Sequence, residues 1–249
     1  MQHQEFILTP IRHIVENATY NMAAQNWGIE TYPIMEHYFS ALYLKVTGAS
    51  EQKLKCVCWD MATDDYEYRY QTYSLSKIGE CSCYEEKQKI VNDIYHQILK
   101  INPQFDISTE IDKNKILTTV VSTINTFYNY SGVRILLGKE FKTFENYFNT
   151  INIDYFLIKN QQNDNVFLLQ EKKRNNKLID DDLMCIFNLA YRHRNRCAHN
   201  TLSYQENQVP LSEYQSDVYK YENYFFYYAI MILIDEMVIS LYKKHLEVK

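Results

Sequence analysis

The sequence predicts an all-α fold, a single helical bundle, and three observations carry that expectation. Only 5 Gly and 4 Pro occur in 249 residues, which leaves few places to stop a helix or turn a tight hairpin. Apolar side chains recur at helical spacing along most of the chain. A hydrophobic content of 46% is ample for one buried core at this length, and no repeat or linker divides the chain, so 1–249 reads as one domain.

Taken in order, Phe6, Ile11, Ile14, Val15 and Ala18 mark a first helix. Ile34, Met35, Tyr38, Phe39, Leu42 and Leu44 mark a second, with Thr31 and Pro33 near its start. Residues 52–73 divide. Leu54, Val57, Cys58, Met61 and Ala62 keep helical spacing, whereas Tyr66-Glu67-Tyr68-Arg69-Tyr70 alternates as a strand does, so helix is expected for the first half only. Ser82 with Glu85 three positions on forms a capping box, and the stripe Ile90, Val91, Ile94, Ile98 and Leu99 follows until Asn102-Pro103 stops it. A helix over 109–137 carries Ile116, Leu117, Val120, Val121, Ile124, Phe127 and Tyr128 and ends near Gly138. Phe141, Phe144, Tyr147, Phe148 and Ile151 mark a shorter one, and polar 160–165 is a loop.

Residues 178–200 bring another helix. Asp180, Asp181 and Asp182 suit its N-cap and first turn, where the dipole favours negative charge, and Leu183, Ile186, Phe187 and Ala190 follow at helical spacing. A loop over 201–216 contains Pro210, and 217–247 forms a closing helix rich in Tyr and Ile. Its apolar run from Tyr224 to Ile234 is too short to span a bilayer and ends in Asp235-Glu236, so it reads as a buried helix.

The end of the 178–200 helix carries the chemistry. There the chain reads Tyr191-Arg192-His193-Arg194-Asn195-Arg196-Cys197-Ala198-His199-Asn200, which sets a guanidinium, an amide and an imidazole on adjacent turns. A guanidinium offers a planar fork of donors matched to phosphate oxygens, and an imidazole exchanges protons near neutral pH. Those are the groups needed to cleave a phosphodiester. Asn195 and His199 share a face with Arg192 and Arg196, while Arg194 is rotated from His199 by over a third of a turn, so helical geometry leaves both Arg192 and Arg194 as phosphate ligands.

Arg194-Asn195-Arg196-Cys197-Ala198-His199 resembles the Arg-x(4–6)-His signature of HEPN-domain ribonucleases, in the form closest to Abi-like abortive-infection proteins. The resemblance implies a HEPN-type bundle within about 105–249, preceded by an additional amino-terminal helical region. It implies a metal-independent endoribonuclease, needing no cofactor and working in phage defence or a toxin–antitoxin pair. Cleavage by the RNA's own 2′-hydroxyl would leave a 2′,3′-cyclic phosphate. Arg194, Asn195 and His199 would be catalytic, with Arg192, Arg196, Lys172 and Lys173 along the RNA. A homodimer would bring two motifs together, since one imidazole supplies half of an acid–base pair. The closing helix also carries more apolar surface than one bundle face needs. HEPN toxins controlled by nucleotidyltransferase antitoxins often carry a Tyr two positions after the His. This chain has Thr201 there, so an antitoxin or other regulatory partner would have to act differently. The alternative expectation is a HEPN-like module that binds protein or nucleotide without cleaving.

Composition bounds these readings. A net charge of −5 and a pI near 5.8 exclude a protein that coats nucleic acid, so any RNA contact must be local, at Lys172, Lys173, Arg174 and Lys177 or at the arginines of the motif. The polar start Met1-Gln2-His3-Gln4-Glu5 has no signal-peptide pattern, which makes the cytoplasm, with reduced thiols, the expected compartment. Cys56-x-Cys58 and Cys81-x-Cys83 read as small core residues ahead of a zinc site, whose ligands more often stand two residues apart. Cys197 reads as packing ahead of a nucleophile, and Asp60, Asp64 and Asp65 as a solvated face ahead of a Mg²⁺ site. His13 and His37, on apolar stripes, read as core histidines. No Gly-rich phosphate loop, Gly-x-Ser-x-Gly or His-Glu-x-x-His is present.

Overall fold

The structure, a computed structural model, describes residues 3–25, 28–75, 78–150, 155–158, 177–199 and 220–249. It is mostly helical, as the sparse Gly and Pro require. Helix α1 (His3–Leu8) and helix α2 (Arg12–Ala23) replace the single first helix expected, because Pro10 cannot donate a backbone bond and the chain breaks around it. Helix α3 (Tyr32–Asp64) fuses two expected helices. Gly48 lies at mid-length with open space where a Cβ would stand, so it weakens the helix without interrupting it.

Asp65 ends α3 in extended conformation and caps helix α4 (Tyr66–Arg69), accepting from the Tyr68 amide at 3.0 Å; a π-helical turn, Tyr70–Leu75, continues it. The Tyr66–Tyr70 alternation is therefore helical and not a strand. Tyr68 is the one buried residue of α4, and the other rings face solvent. Helix α5 (Tyr84–Ile101) begins at Cys83, and the capping acid is Glu86 and not Glu85: its carboxylate accepts from the Ser82 amide at 3.0 Å. The helix expected over 109–137 is three pieces. Short α6 (Ile107–Glu110) precedes α7 (Lys113–Tyr130), which Asp112 caps, and Gly132 then takes a left-handed φ of 80° to turn the chain into a 3-10 segment at Val133–Ile135. Helix α8 (Gly138–Thr150) starts at the glycine expected to end its predecessor.

Two short strands, β1 (Tyr155–Ile158) and β2 (Lys177–Ile179), pair antiparallel with Tyr155 opposite Ile179. Three or four residues are too few to show an alternating pattern in sequence. The Tyr84 hydroxyl accepts from the Leu178 amide at 2.9 Å and pins this ladder to the start of α5. The motif helix, α9 (Asp181–His199), opens after the strand with Asp180 accepting from the Leu183 amide at 2.8 Å, as the Asp run foretells. The loops at 160–165 and 201–216 lie outside the described residues.

Helix α10 (Tyr224–Val248) is the centre of the molecule. Every residue from Tyr224 to Asp235 is buried, and α3, α5, α7 and α9 all pack on it. By length and composition it passes for a membrane span, yet 89% of its most apolar window is buried inside the bundle, which makes it a core helix. Its apolar surface is thus largely covered within the chain, so among the described residues the closing helix does not carry the spare apolar surface expected of it. One hydrophobic cluster runs from Ile7 to Tyr242, so residues before 105 share a core with those after it.

A buried ion pair locks the break between α1 and α2 to this core. Lys53 Nζ lies 2.5 Å from Asp235 Oδ1 and donates to Thr9 O at 2.7 Å, while the Ile11 amide donates to Asp235 Oδ2 at 2.8 Å. Both side chains are 2% exposed. The two backbone groups freed around Pro10 are thereby satisfied.

Candidate functional site

The apolar stripe of α9 that buries Leu183, Ile186, Phe187 and Ala190 gives way in the last two turns to half-buried polar groups. Tyr43 of α3 donates to the Ala190 carbonyl at 2.9 Å and fixes how far α9 slides along α3. Beyond that tether each residue of the motif takes a distinct position.

Arg194 turns back toward α3. Its Nη2 lies 3.1 Å from Glu51 Oε1, with the other carboxylate oxygen at 3.2 Å, and its Nη1 donates to Asn195 Oδ1 at 3.2 Å. Side-chain exposures of 21% for Arg194 and 13% for Glu51 leave the pair partly open. The amide of Asn195 therefore orients the guanidinium. Arg196 pairs with Glu222 at 3.1 Å, which ties the end of α9 to the residue before the cap of α10. Arg192 is exposed. The backbone helix reaches His199, while the His199 side chain, Lys172 and Lys173 lie outside the described residues.

His193 goes inward. Its ring stacks on Tyr227 at 4.8 Å and meets Tyr224 edge-on at 5.1 Å. Its Nε2 lies 3.1 Å from the Tyr224 hydroxyl and 3.4 Å from Cys197 Sγ. Tyr224 donates to Glu36 at 2.9 Å and contacts Ser40 Oγ at 2.8 Å, so its oxygen remains to accept from His193. Burial, reinforced by Arg196, pushes the imidazole down to about 4, which makes it a neutral packing group. Burial also raises the Cys197 thiol, in keeping with packing and not with a thiolate nucleophile.

Sequence reasoning missed the residues contributed by α3 and α5. Glu51 stands 143 positions from Arg194 along the chain. Lys87, 1% exposed, donates to the Cys81 carbonyl at 2.7 Å, and burial pushes its ammonium down to about 8 against the pull of Glu51. Cys81 holds a φ of 60°, the left-handed region that a non-glycine residue enters at a cost, and this turn presents its carbonyl to Lys87. Glu51 thus stands between two cations, Arg194 and Lys87, in a narrow seam walled by Tyr43, Thr47, Phe187, Tyr191 and Met231. His193 was legible, since Ile186, Ala190, His193 and Cys197 fall on one helical stripe.

The other candidate groups disperse. His13 and His37 are exposed, contrary to expectation; among the described residues His245 is buried and His193 half-buried. Cys56, Cys58 and Cys81 are buried, which raises their thiols, Cys58 to about 12 and Cys81 to about 11. No group of three His, Cys, Asp or Glu is placed to hold a metal among the described residues. Asp60 accepts from Tyr242 at 2.5 Å and Asp64 pairs with Lys249. Burial drives Asp65 upward, but bonds from Lys100, the Tyr68 amide and Gln97 outweigh it and hold the carboxyl at about 2. The three carboxylates therefore face separate partners and do not form a common cation site.

No family model, curated protein or solved structure matches the chain.

Proposed function

We propose that the protein is a metal-independent endoribonuclease of HEPN type, acting in the cytoplasm in phage defence or a toxin–antitoxin context. The observation that carries this reading is the setting of Arg194: a guanidinium on the last turns of α9, held by Glu51 and Asn195, partly exposed, and five residues before His199. A guanidinium has five donors, and the bonds to Glu51 and Asn195 leave others for phosphate oxygens. In the reaction the RNA 2′-hydroxyl loses its proton to a base and its oxygen bonds to phosphorus. The bond from phosphorus to the 5′-oxygen breaks, and that oxygen takes a proton. His199 serves one of these transfers, and Arg194 stabilises the charge on the phosphorane-like transition state. A second imidazole, from a partner copy, serves the other. Arg192, Arg196, Lys172 and Lys173 extend the contact to the RNA backbone.

One observation favours a second reading, a HEPN-like binding module. Glu51 already neutralises Arg194, and an ion pair of this kind also fastens two helices without any chemistry. Incubating the purified protein with RNA in EDTA separates the two. The nuclease yields fragments ending in 2′,3′-cyclic phosphate, and the module leaves the RNA intact.

A further inference from the structure

Eight residues of α3 separate Glu51 from Trp59, a rise of about 12 Å along the helix. Lys55 and Trp59 follow Glu51 at successive turns, each rotated about 40° from the one before. A cavity of about 420 Å³ opens at the far end of this stripe, lined among others by His3, Gln52, Lys55, Cys56, Trp59 and Tyr73. Its size falls within the range of small-molecule sites.

The walls have an unusual character for a solvent-facing surface. Trp59 is 54% exposed and Tyr73 38% exposed, and the two rings meet edge to face at 5.9 Å and 88°. Both rings therefore keep surface that a further ring could cover. Tyr66 and Tyr70, on the α4 and π-turn segment that carries Tyr73, are exposed as well but do not line the cavity. Polar groups stand around the rings: Gln52 has an amide with both donor and acceptor atoms, and His3 an imidazole. Lys55 lines the cavity and lies 2.8 Å from Glu80. The cavity and the Arg194 site are therefore linked through one turn of α3, with Glu51 paired to Arg194 and Lys55 lining the cavity.

We propose that this cavity holds an unpaired nucleobase of the RNA strand whose scissile phosphate lies against Arg194, stacked on Trp59 and Tyr73 with Lys55 on the adjoining backbone. The proposal rests on the ribonuclease reading and names its substrate class, a single-stranded RNA. Every base has a π-face, so stacking serves any sequence, and a duplex keeps its bases out of reach. An acidic protein binds RNA here through rings and one local lysine without a broad basic surface.

The test uses a short 2′-O-methyl oligonucleotide, which lacks the attacking hydroxyl and survives intact. A Trp27→Phe background makes Trp59 the lone tryptophan, since the chain has two. Stacking is expected to quench Trp59 fluorescence saturably. Anisotropy of a labelled oligonucleotide should show binding roughly 10-fold or more weaker in Trp59→Ala and in Tyr73→Ala, with Trp59→Phe retaining most of it. Failure of the oligonucleotide to bind, binding without quenching, unchanged affinity in both alanine variants, or equal competition by duplex RNA would each overturn the proposal. Failure of the ribonuclease reading looks different. If the wild type cleaves RNA while Trp59→Ala and Tyr73→Ala bind and cleave as it does, the base site is wrong and the nuclease stands. If the oligonucleotide binds with quenching and no RNA is ever cut, the base site stands and the nuclease is wrong.

Discussion

Two ion pairs leave helix α3 from positions two residues apart, and they differ in one decisive way. Glu51 and Lys53 are separated by about 200° around the helix axis, so they look to opposite sides. Lys53 meets Asp235 in the centre of the bundle, with both side chains 2% exposed and backbone groups of Thr9 and Ile11 filling the remaining bonds. Glu51 meets Arg194 at the edge, with 13% and 21% exposure and guanidinium donors that no other described residue takes beyond Asn195. A sealed pair has nothing left to offer a ligand and can only hold the fold. An edge pair with spare donors can lend its cation to a phosphate without dismantling itself.

The largest expected effect breaks the sealed pair. Asp235→Ala leaves Lys53 buried without its carboxylate and frees the Ile11 amide, which should cost about 3–5 kcal/mol and lower the urea midpoint steeply. The same deletion at the edge should behave otherwise: Glu51→Gln changes stability by about 1 kcal/mol or less. It should nonetheless slow RNA cleavage about 10-fold through kcat, because Arg194 loses its orientation. Equal destabilisation by the two substitutions would erase the distinction between the pairs.

His199→Ala, next in size, should cut the cleavage rate roughly 100-fold or more while the urea midpoint stays within experimental scatter, because a proton-transfer group contributes about that much. His193 supplies the contrast within the same helix. Its folded value of about 4 lies below the ordinary value of 6.5, so the unfolded chain binds more protons between the two. Stability is then complete above about 6.5 and is lost as pH falls through 4, by roughly 2–3 kcal/mol. Urea titrations at pH 7 and pH 4 measure this, and His193→Phe should flatten the slope. If His193→Phe abolished cleavage without loss of stability, the roles of the two histidines would be reversed.

The smallest effect concerns the cap of α4. Asp65→Ala should remove about 1 kcal/mol, visible as a slight shift in thermal midpoint, with cleavage unchanged, since this end of α3 faces Lys100 and Gln97 and not the motif.

What the sequence made legible was local. The Asp180 cap, the burial of the Tyr224–Ile234 run and the placement of the motif on the last turns of a helix all depend on neighbours within a few positions, and all hold. The fusion across Gly48 was hidden because a glycine's helix cost is small beside the packing of the apolar face around it. The division at Pro10 was hidden because Phe6 and Ile11 both face the core from either side of the break. The partners that define the site were beyond reach for a different reason. Glu51 and Lys87 come to Arg194 through tertiary packing, and nothing in the residues around either one announces a distant cation or carboxylate. Tyr66–Tyr70 misled because exposed aromatic rings on a helix imitate the alternation of a half-buried strand.

The most direct measurement is cleavage of RNA in EDTA by the wild type and by Arg194→Lys, with the product ends identified and the urea midpoints compared. Lysine keeps the charge but cannot reproduce the planar fork. The expected result is cyclic phosphate ends from the wild type and a rate about 100-fold or more lower in the variant, at nearly equal stability. Intact RNA with the wild type, or equal rates from the two proteins, would contradict the assignment of Arg194 to the transition state and leave its pair with Glu51 as a fastening between two helices.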